Sequence, residues 1–243
     1  MKKNINKYFF LYLSTLFIFG VFFLYEKHSV ANDSTISEWL INYSGGFTKR
    51  GLVGQICIYI SNTLIINLRD SILIFQIIIF LTYFVFIYNF FRNIIFNKLM
   101  ILAIFSPIFI LYPIAEIEVL MRKEILIFCF FLIYLYINNK KINNIYKLLI
   151  LPTCILIWEP VVFFLFFWFS IDLINNKISK LNYSFYKILL SFVPTFFVAI
   201  LIVLNPINDE NYLTMVNFLK NNFNENCYMS CELLKSKSTI YDQ

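Results

Sequence analysis

Residues 8–25, Tyr8 to Tyr25 (YFFLYLSTLFIFGVFFLY), carry no charged side chain, and residues 71–91, SILIFQIIIFLTYFVFIYNFF from Ser71 to Phe91, repeat the pattern. A stretch of about 20 apolar residues crosses the hydrocarbon core of a bilayer as a helix. Composition agrees: 60% of residues are apolar, 14% are charged and the mean hydropathy is +0.74. A soluble domain has about half apolar and about a quarter charged residues. The chain therefore reads as an integral membrane protein. Lys2, Lys3 and Lys7 resemble the basic end of a signal peptide, but Tyr25-Glu26-Lys27-His28 stands where a small-residue cleavage site belongs, so the first helix is expected to be retained. The net charge of +6 then reflects loop lysines rather than a nucleic-acid partner.

Lysine and arginine gather in cytoplasmic loops, which fixes an expected orientation. Lys2, Lys3 and Lys7 place the N-terminus in the cytoplasm, and residues 26–50 form an outer loop. Ser71 to Phe91 returns to an inner loop with Arg92 and Lys98. Leu99 to Pro113 goes out, and Glu116 to Glu124 caps it outside. Ile125 to Ile137 returns to Lys140, Lys141 and Lys147. Ile188 to Leu204 exits last, leaving Asn205 to Gln243 as a polar outer tail without a further helix, which reads equally as a truncated continuation of a longer chain. The membrane domain is residues 1–205 and the tail is residues 206–243.

Two segments resist simple threading. Leu52 to Leu68 is interrupted by Gln55, Ser61, Asn62, Thr63 and Asn67, and counting it as a span would invert every later loop. It is expected to lie on the outer surface as an amphipathic helix. Leu148 to Ile174 as one span would leave Lys177, Lys180 and Lys187 outside. Pro160 lacks a backbone donor and favours a break. Two short helices meeting near Trp158-Glu159-Pro160 keep those lysines inside and lift Glu159 toward the outer face. Broken helices are tolerated at membrane depth where they line a cavity. The expected fold is an all-α polytopic bundle of about six or seven membrane segments, with broken or re-entrant helices and one surface helix.

Charge is concentrated in a few clusters between these runs. The first is Lys49-Arg50 inside Asn42-Tyr43-Ser44-Gly45-Gly46-Phe47-Thr48-Lys49-Arg50-Gly51-Leu52. Gly45 and Gly46 permit close approach of a ligand or of another backbone segment, and Gly51 and Gly54 precede the surface helix, whose N-terminal amides could add to an anion site. Arg50 offers a planar fork suited to phosphate and Lys49 a point charge. Asp33 and Glu38 lie upstream as candidate general bases. The second cluster is Glu116, Glu118, Arg122, Lys123 and Glu124, of which Arg122 and Glu124 are the preferred functional members. Glu159 has no charged residue within ten positions, and a carboxylate near membrane depth needs a partner. Arg50, Arg122 or Lys123 are the candidates. The bland readings are a turn, a membrane-edge anchor and a structural salt bridge.

His28, the only histidine, stands at a helix end beside Glu26 and Lys27 and reads as interfacial. Tyr25, Trp39, Tyr43 and Tyr112 fit an interfacial aromatic belt. Cys57, Cys129 and Cys154 read as buried apolar residues, with no metal-ligand spacing. Cys227 and Cys231 fall in the tail, where an oxidising compartment would permit a disulfide.

The loop Trp39 to Leu52, with Arg122-Lys123-Glu124 and Trp158-Glu159 downstream, resembles uncharacterised bacterial polytopic proteins of surface-polysaccharide loci. Their layout is similar to C-type lipid-dependent glycosyltransferases and oligosaccharide polymerases. The resemblance covers residues 36 to 170. It implies an inner-membrane enzyme that transfers or polymerises sugars from a polyprenyl-phosphate-linked donor at the outer face. Lys49, Arg50, Arg122 and Lys123 would hold the phosphate, and Glu38, Asp33 or Glu159 would deprotonate the acceptor. No metal ligand set is expected, although a divalent cation stays open. In such enzymes the first outer loop carries an acidic residue, followed by short surface helices; here Glu38 or Asp33 would fill that role, although neither sits in an Asp-Asp or Asp-Glu motif. A transporter or flippase-like protein and a non-catalytic membrane subunit are the alternatives.

Overall fold

The computed structural model describes residues 2–30, 33–92, 94, 97–106, 110–111, 114, 116–137, 139–178, 185–232 and 234. Those residues form twelve α-helices and one 3-10 turn: α1 Lys2–Ser29, α2 Ser34–Leu40, α3 Gly51–Leu64, α4 Leu68–Phe91, α5 Lys98–Phe105, the 3-10 turn Ile117–Val119, α6 Glu124–Tyr136, α7 Lys140–Ile157, α8 Val161–Ile178, α9 Phe185–Leu190, α10 Val193–Leu204, α11 Asp209–Phe223 and α12 Met229–Glu232. Residues Asn6–Ser29 of α1 and Leu68–Phe91 are long and apolar enough to cross a membrane. A third candidate is Ile188–Leu204 with Asp209–Phe223, bent by 97° between them.

Aromatic contacts fix how the helices run. Phe9 stacks on Tyr88, Phe17 meets Phe80 and Phe84, and His28 bonds Gln76, so α1 and α4 are antiparallel. Gly20 makes this crossing close, because a Cβ there would sit 2.3 Å from the Phe80 ring. Small residues at such crossings replace the hydrophobic drive that lipid removes. Phe86 meets Tyr136 and the Gln76 amide donates to the Met121 carbonyl, so α6 runs parallel to α4. Phe128 meets Phe164 and Phe131 meets Trp168, which aligns α8 with α6.

Helices α7 and α8 form a hairpin. The Tyr146 ring stacks on Trp168, and Lys147 pairs with Asp172, positions nearly symmetric about the break at Trp158-Glu159-Pro160. Each arm has 18 residues, or about 27 Å of helix, longer than the short arms expected. The break falls at Pro160, while Pro152 is accommodated inside α7.

These directions separate two rims. His28, Glu38, Arg50, Arg69, Arg122 and Glu159 gather where α1 and α7 end and where α4, α6 and α8 begin. The opposite rim holds Asn6, whose amide donates to the Arg92 carbonyl, together with Tyr136 beside Phe86.

Three expectations are corrected. Leu99 to Pro113 is not one span. The helix described there is the 8-residue α5, Lys98–Phe105, about 12 Å long, which ends where Ser106 turns extended ahead of Pro107. Pro113 and Tyr112 lie outside the described residues, as do Lys177, Lys180 and Lys187 as side chains. Ile188 to Leu204 is interrupted at Ser191-Phe192, with Pro194 in the first turn of α10. The tail forms a further helix after all. Asn208 caps α11 by accepting from Asn211 N at 2.7 Å, Asp209 and Glu210 oppose its dipole at the N-terminus, and Asn224 closes it in the left-handed region. Tyr212, Met215 and Leu219 are buried along one face of it.

Helix α3 is half-buried against α2, α4 and α7 through Gly51, Val53, Gly54, Cys57, Ile58 and Ser61. Ile65 ends it with φ +55° and the next helix starts at Leu68, so the segment expected to reach residue 68 stops earlier.

Candidate functional site

Helix α2 carries Glu38 into the interior. Asp33 caps it by accepting from Ile36 N at 2.9 Å, and the Trp39 indole donates to the Met121 carbonyl at 2.9 Å. Six of its seven residues are buried, Glu38 among them. The glycine loop follows. Asn42 Oδ1 accepts from Ser44 N and Oγ, and Gly46 takes φ +104°. The close approach made at Gly45 is by this chain's own backbone, since a Cβ there would lie 1.9 Å from the Asn211 carbonyl oxygen. At Gly51 the neighbour is the Tyr43 ring. The loop delivers Arg50 in the left-handed region, φ +63°, immediately before α3.

Arg50 is the centre of the charge network. Its Nε donates to Glu159 Oε2 at 2.7 Å and its Nη2 to Glu159 Oε1 at 2.9 Å, while Nη1 reaches Glu38 Oε1 at 3.3 Å. Glu38 Oε2 lies 3.9 Å from Arg122 Nε, and Arg122 Nη2 lies 3.2 Å from Glu124 Oε1. Lys49 Nζ stands 3.7 Å from Glu159 Oε1. Lys123, with no exposed surface, donates to the Arg50 carbonyl at 2.6 Å. Four cations thus meet three carboxylates in one group.

Burial and pairing set the protonation states. Burial opposes charge on Arg50, but Glu159 outweighs it and raises the guanidinium pKa. Burial likewise pushes the Glu159 carboxyl up, yet the Arg50 hydrogen bonds win and hold it below the ordinary value. Lys123 falls to about 8 through burial. Glu124 is raised by burial and then by Glu38, and its Oε2 is buried without a hydrogen-bond partner.

A cavity of about 760 Å³ adjoins the network. Thr48, Lys49 and Glu159 form one part of its wall; Val162, Phe163, Phe196, Ala199, Ile200 and Val203 form another. Phe163, Phe196, Ile200 and Val203 are exposed apolar residues, so this wall continues onto the outer surface of α8 and α10.

The sequence-predicted residues thus divide. Lys49, Arg50, Arg122, Lys123, Glu38 and Glu159 share the network, but only Lys49 and Glu159 of these line the cavity. Lys123 is committed to a backbone carbonyl. Asp33 belongs to a neighbouring group, 3.6 Å from Lys27. Glu118 accepts from Ser34 Oγ at 3.2 Å and its carbonyl from Thr35, a packing role. Among the described residues no three His, Cys, Asp or Glu side chains are grouped to hold a metal ion.

Sequence reasoning missed two other charge groups. Tyr134 OH and Lys147 Nζ both donate to Asp172, each at 2.5 Å, and Lys147 lies 5.5 Å from the centre of the Phe192 ring. The signal was Asp172, the one charge in the apolar run after Glu159. Arg69 forks onto Glu225 at 2.9 and 2.8 Å, tying α4 to the tail. Cys227 and Cys231 form a disulfide, and Tyr228 N donates to Ser37 Oγ, which clasps the tail against α2.

Comparison with known families, with characterised proteins and with solved structures finds no match to this chain.

Proposed function

We propose that the protein acts in bacterial cell-surface glycan assembly, transferring or polymerising a sugar carried on a polyprenyl phosphate at the outer face of the inner membrane. One observation carries this reading: the cavity that joins Lys49 and Glu159 to an exposed apolar wall on α8 and α10. An isoprenoid chain suits the apolar wall, and its phosphate suits Lys49, which lines the cavity beside the Glu159 and Glu232 carboxylates. Ligand sites of this size are mostly apolar, with a few convergent polar groups. The loop from Trp39 to Leu52 adds its resemblance to proteins of polysaccharide loci. The lysine pattern at Lys2, Lys3, Lys7, Lys140 and Lys141 supports an outward-facing network.

In this reading an acceptor hydroxyl attacks the anomeric carbon of the donor sugar. The bond from that carbon to the phosphate oxygen breaks, and the lipid phosphate departs with the electron pair. The hydroxyl proton passes to a carboxylate, and Glu159 is the network carboxylate that lines the cavity. Cationic side chains fixed before the reaction stabilise the departing phosphate without reorganisation.

The test is genetic and chemical. Deleting the gene should remove or shorten a cell-surface polysaccharide, seen by gel and by sugar composition. The wild-type gene should restore it and Lys49→Ala should not. A deletion strain with unchanged surface glycan overturns the proposal.

A further inference from the structure

We infer that the Glu159 carboxylate is an exchangeable occupant of an anion site: the fork of Arg50 takes the phosphate of an incoming ligand when Glu159 leaves. This inference rests on the proposed function, which supplies the lipid phosphate, and it adds how the site is kept filled before binding. A guanidinium fork accepts carboxylate and phosphate with the same two-bond geometry. In the structure that fork is already engaged, through Nε and Nη2, by Glu159. A phosphate therefore meets no open fork at Arg50 and must compete for it.

Two features make the exchange one-sided. Arg50 is held from behind, because Nη1 contacts buried Glu38 and its carbonyl accepts from buried Lys123. Glu159 is not held in that way. It sits in the break between α7 and α8, outside either helix, and its side chain is 27% exposed in the cavity wall.

The exchange links binding to chemistry. While Glu159 is paired with Arg50 and Lys49 it is a poor proton acceptor. Once the phosphate takes its place, the carboxylate is released into the same cavity as the acceptor. A filled site therefore creates its own base, and an empty one keeps both groups neutralised.

The experiment measures binding of farnesyl phosphate and of inorganic phosphate to the purified full-length protein in detergent. Wild type is compared with Glu159→Gln and Glu159→Asp. Removing the competitor should tighten farnesyl phosphate binding of Glu159→Gln by roughly five- to tenfold, since the competent state is no longer masked. Glu159→Asp, one methylene shorter, should fall between, and it decides the matter if Glu159→Gln does not purify as a folded species. Equal or weaker binding by the folded variants, with wild type binding, overturns the exchange and leaves the proposed function standing. Inorganic phosphate bound as tightly as farnesyl phosphate, and tightened equally by Glu159→Gln, keeps the exchange but removes the lipid from the reading. No binding of either ligand by any variant overturns both.

Discussion

Arg50 and Glu159, 109 residues apart in the chain, are joined by two hydrogen bonds of 2.7 and 2.9 Å. The pair ties the loop before α3 to the tip of the α7–α8 hairpin. It is thus both a fastening between distant segments and the edge of the cavity.

Arg50→Lys should loosen this fastening. An ammonium can donate to one carboxylate oxygen at a time along this line, so the fork is lost while the charge remains. The pair is partly exposed, so the expected loss is modest, about 1–2 kcal/mol. Thermal unfolding in detergent should show a lower midpoint for Arg50→Lys. A midpoint equal to wild type would contradict the two-bond pairing.

Lys123 gives a pH signature. Its folded pKa is lowered to about 8, below the value of about 10.4 in an unfolded chain. Between those values the unfolded state binds more protons, so stability rises with pH from about 8 toward 10. Below pH 8 both states are protonated and the burial penalty is present in full. Lys123→Met should be flatter than wild type over this window. The check is the difference between the two proteins in unfolding midpoint across that pH range; parallel curves would sink the claim.

At the other end of the hairpin, Asp172 should matter more. Lys147 is 1% exposed, and Asp172→Asn leaves its charge buried without a counter-ion, for a loss of about 3–5 kcal/mol. Tyr134→Phe removes one hydrogen bond and should lose about 1–2 kcal/mol. Asp172→Asn combined with Lys147→Met should recover much of the first loss. Unfolding midpoints of the three variants order these effects, and a double variant worse than Asp172→Asn would contradict the pairing.

The two rims also predict sidedness. In intact cells carrying a cysteine-free protein, Lys49→Cys should react with an impermeant thiol reagent and Lys141→Cys should not. The lysine asymmetry and the shared rim of Arg50, Arg122 and Glu159 motivate this. The opposite labelling pattern would invert the orientation and move the site to the cytoplasm.

Much of this arrangement was legible in the sequence, for identifiable reasons. Charges are scarce between long apolar runs, so Arg50, Arg122 and Glu159 stood out, and Pro160 marked the hairpin tip. Asp33 and Glu38 looked alike as acids of one loop, but one caps α2 while the other is buried between two arginines. That distinction depends on the turn of a helix seven residues long. The glycines showed that something approaches closely, yet not that Asn211 of the tail does so. The tail helix α11 carries Tyr212, Met215, Val216, Leu219 and Phe223 at helical spacing, but the Asp, Glu, Lys and Asn residues between them make the segment read as polar. Long-range pairing of the tail is invisible to local pattern. Arg69 with Glu225, and the glycine loop against Asn211, are decided by tertiary packing alone.

The central claim is that a lipid phosphate enters the cavity beside Arg50 and Glu159. Its most direct test is photocrosslinking in native membranes with a polyprenyl phosphate that carries a diazirine on the isoprenoid chain. The account predicts adducts on the peptides holding Val162 and Phe163 of α8 and Phe196 to Val203 of α10, reduced by Lys49→Ala. Adducts spread evenly over α1 and α4, or unchanged by Lys49→Ala, would contradict it.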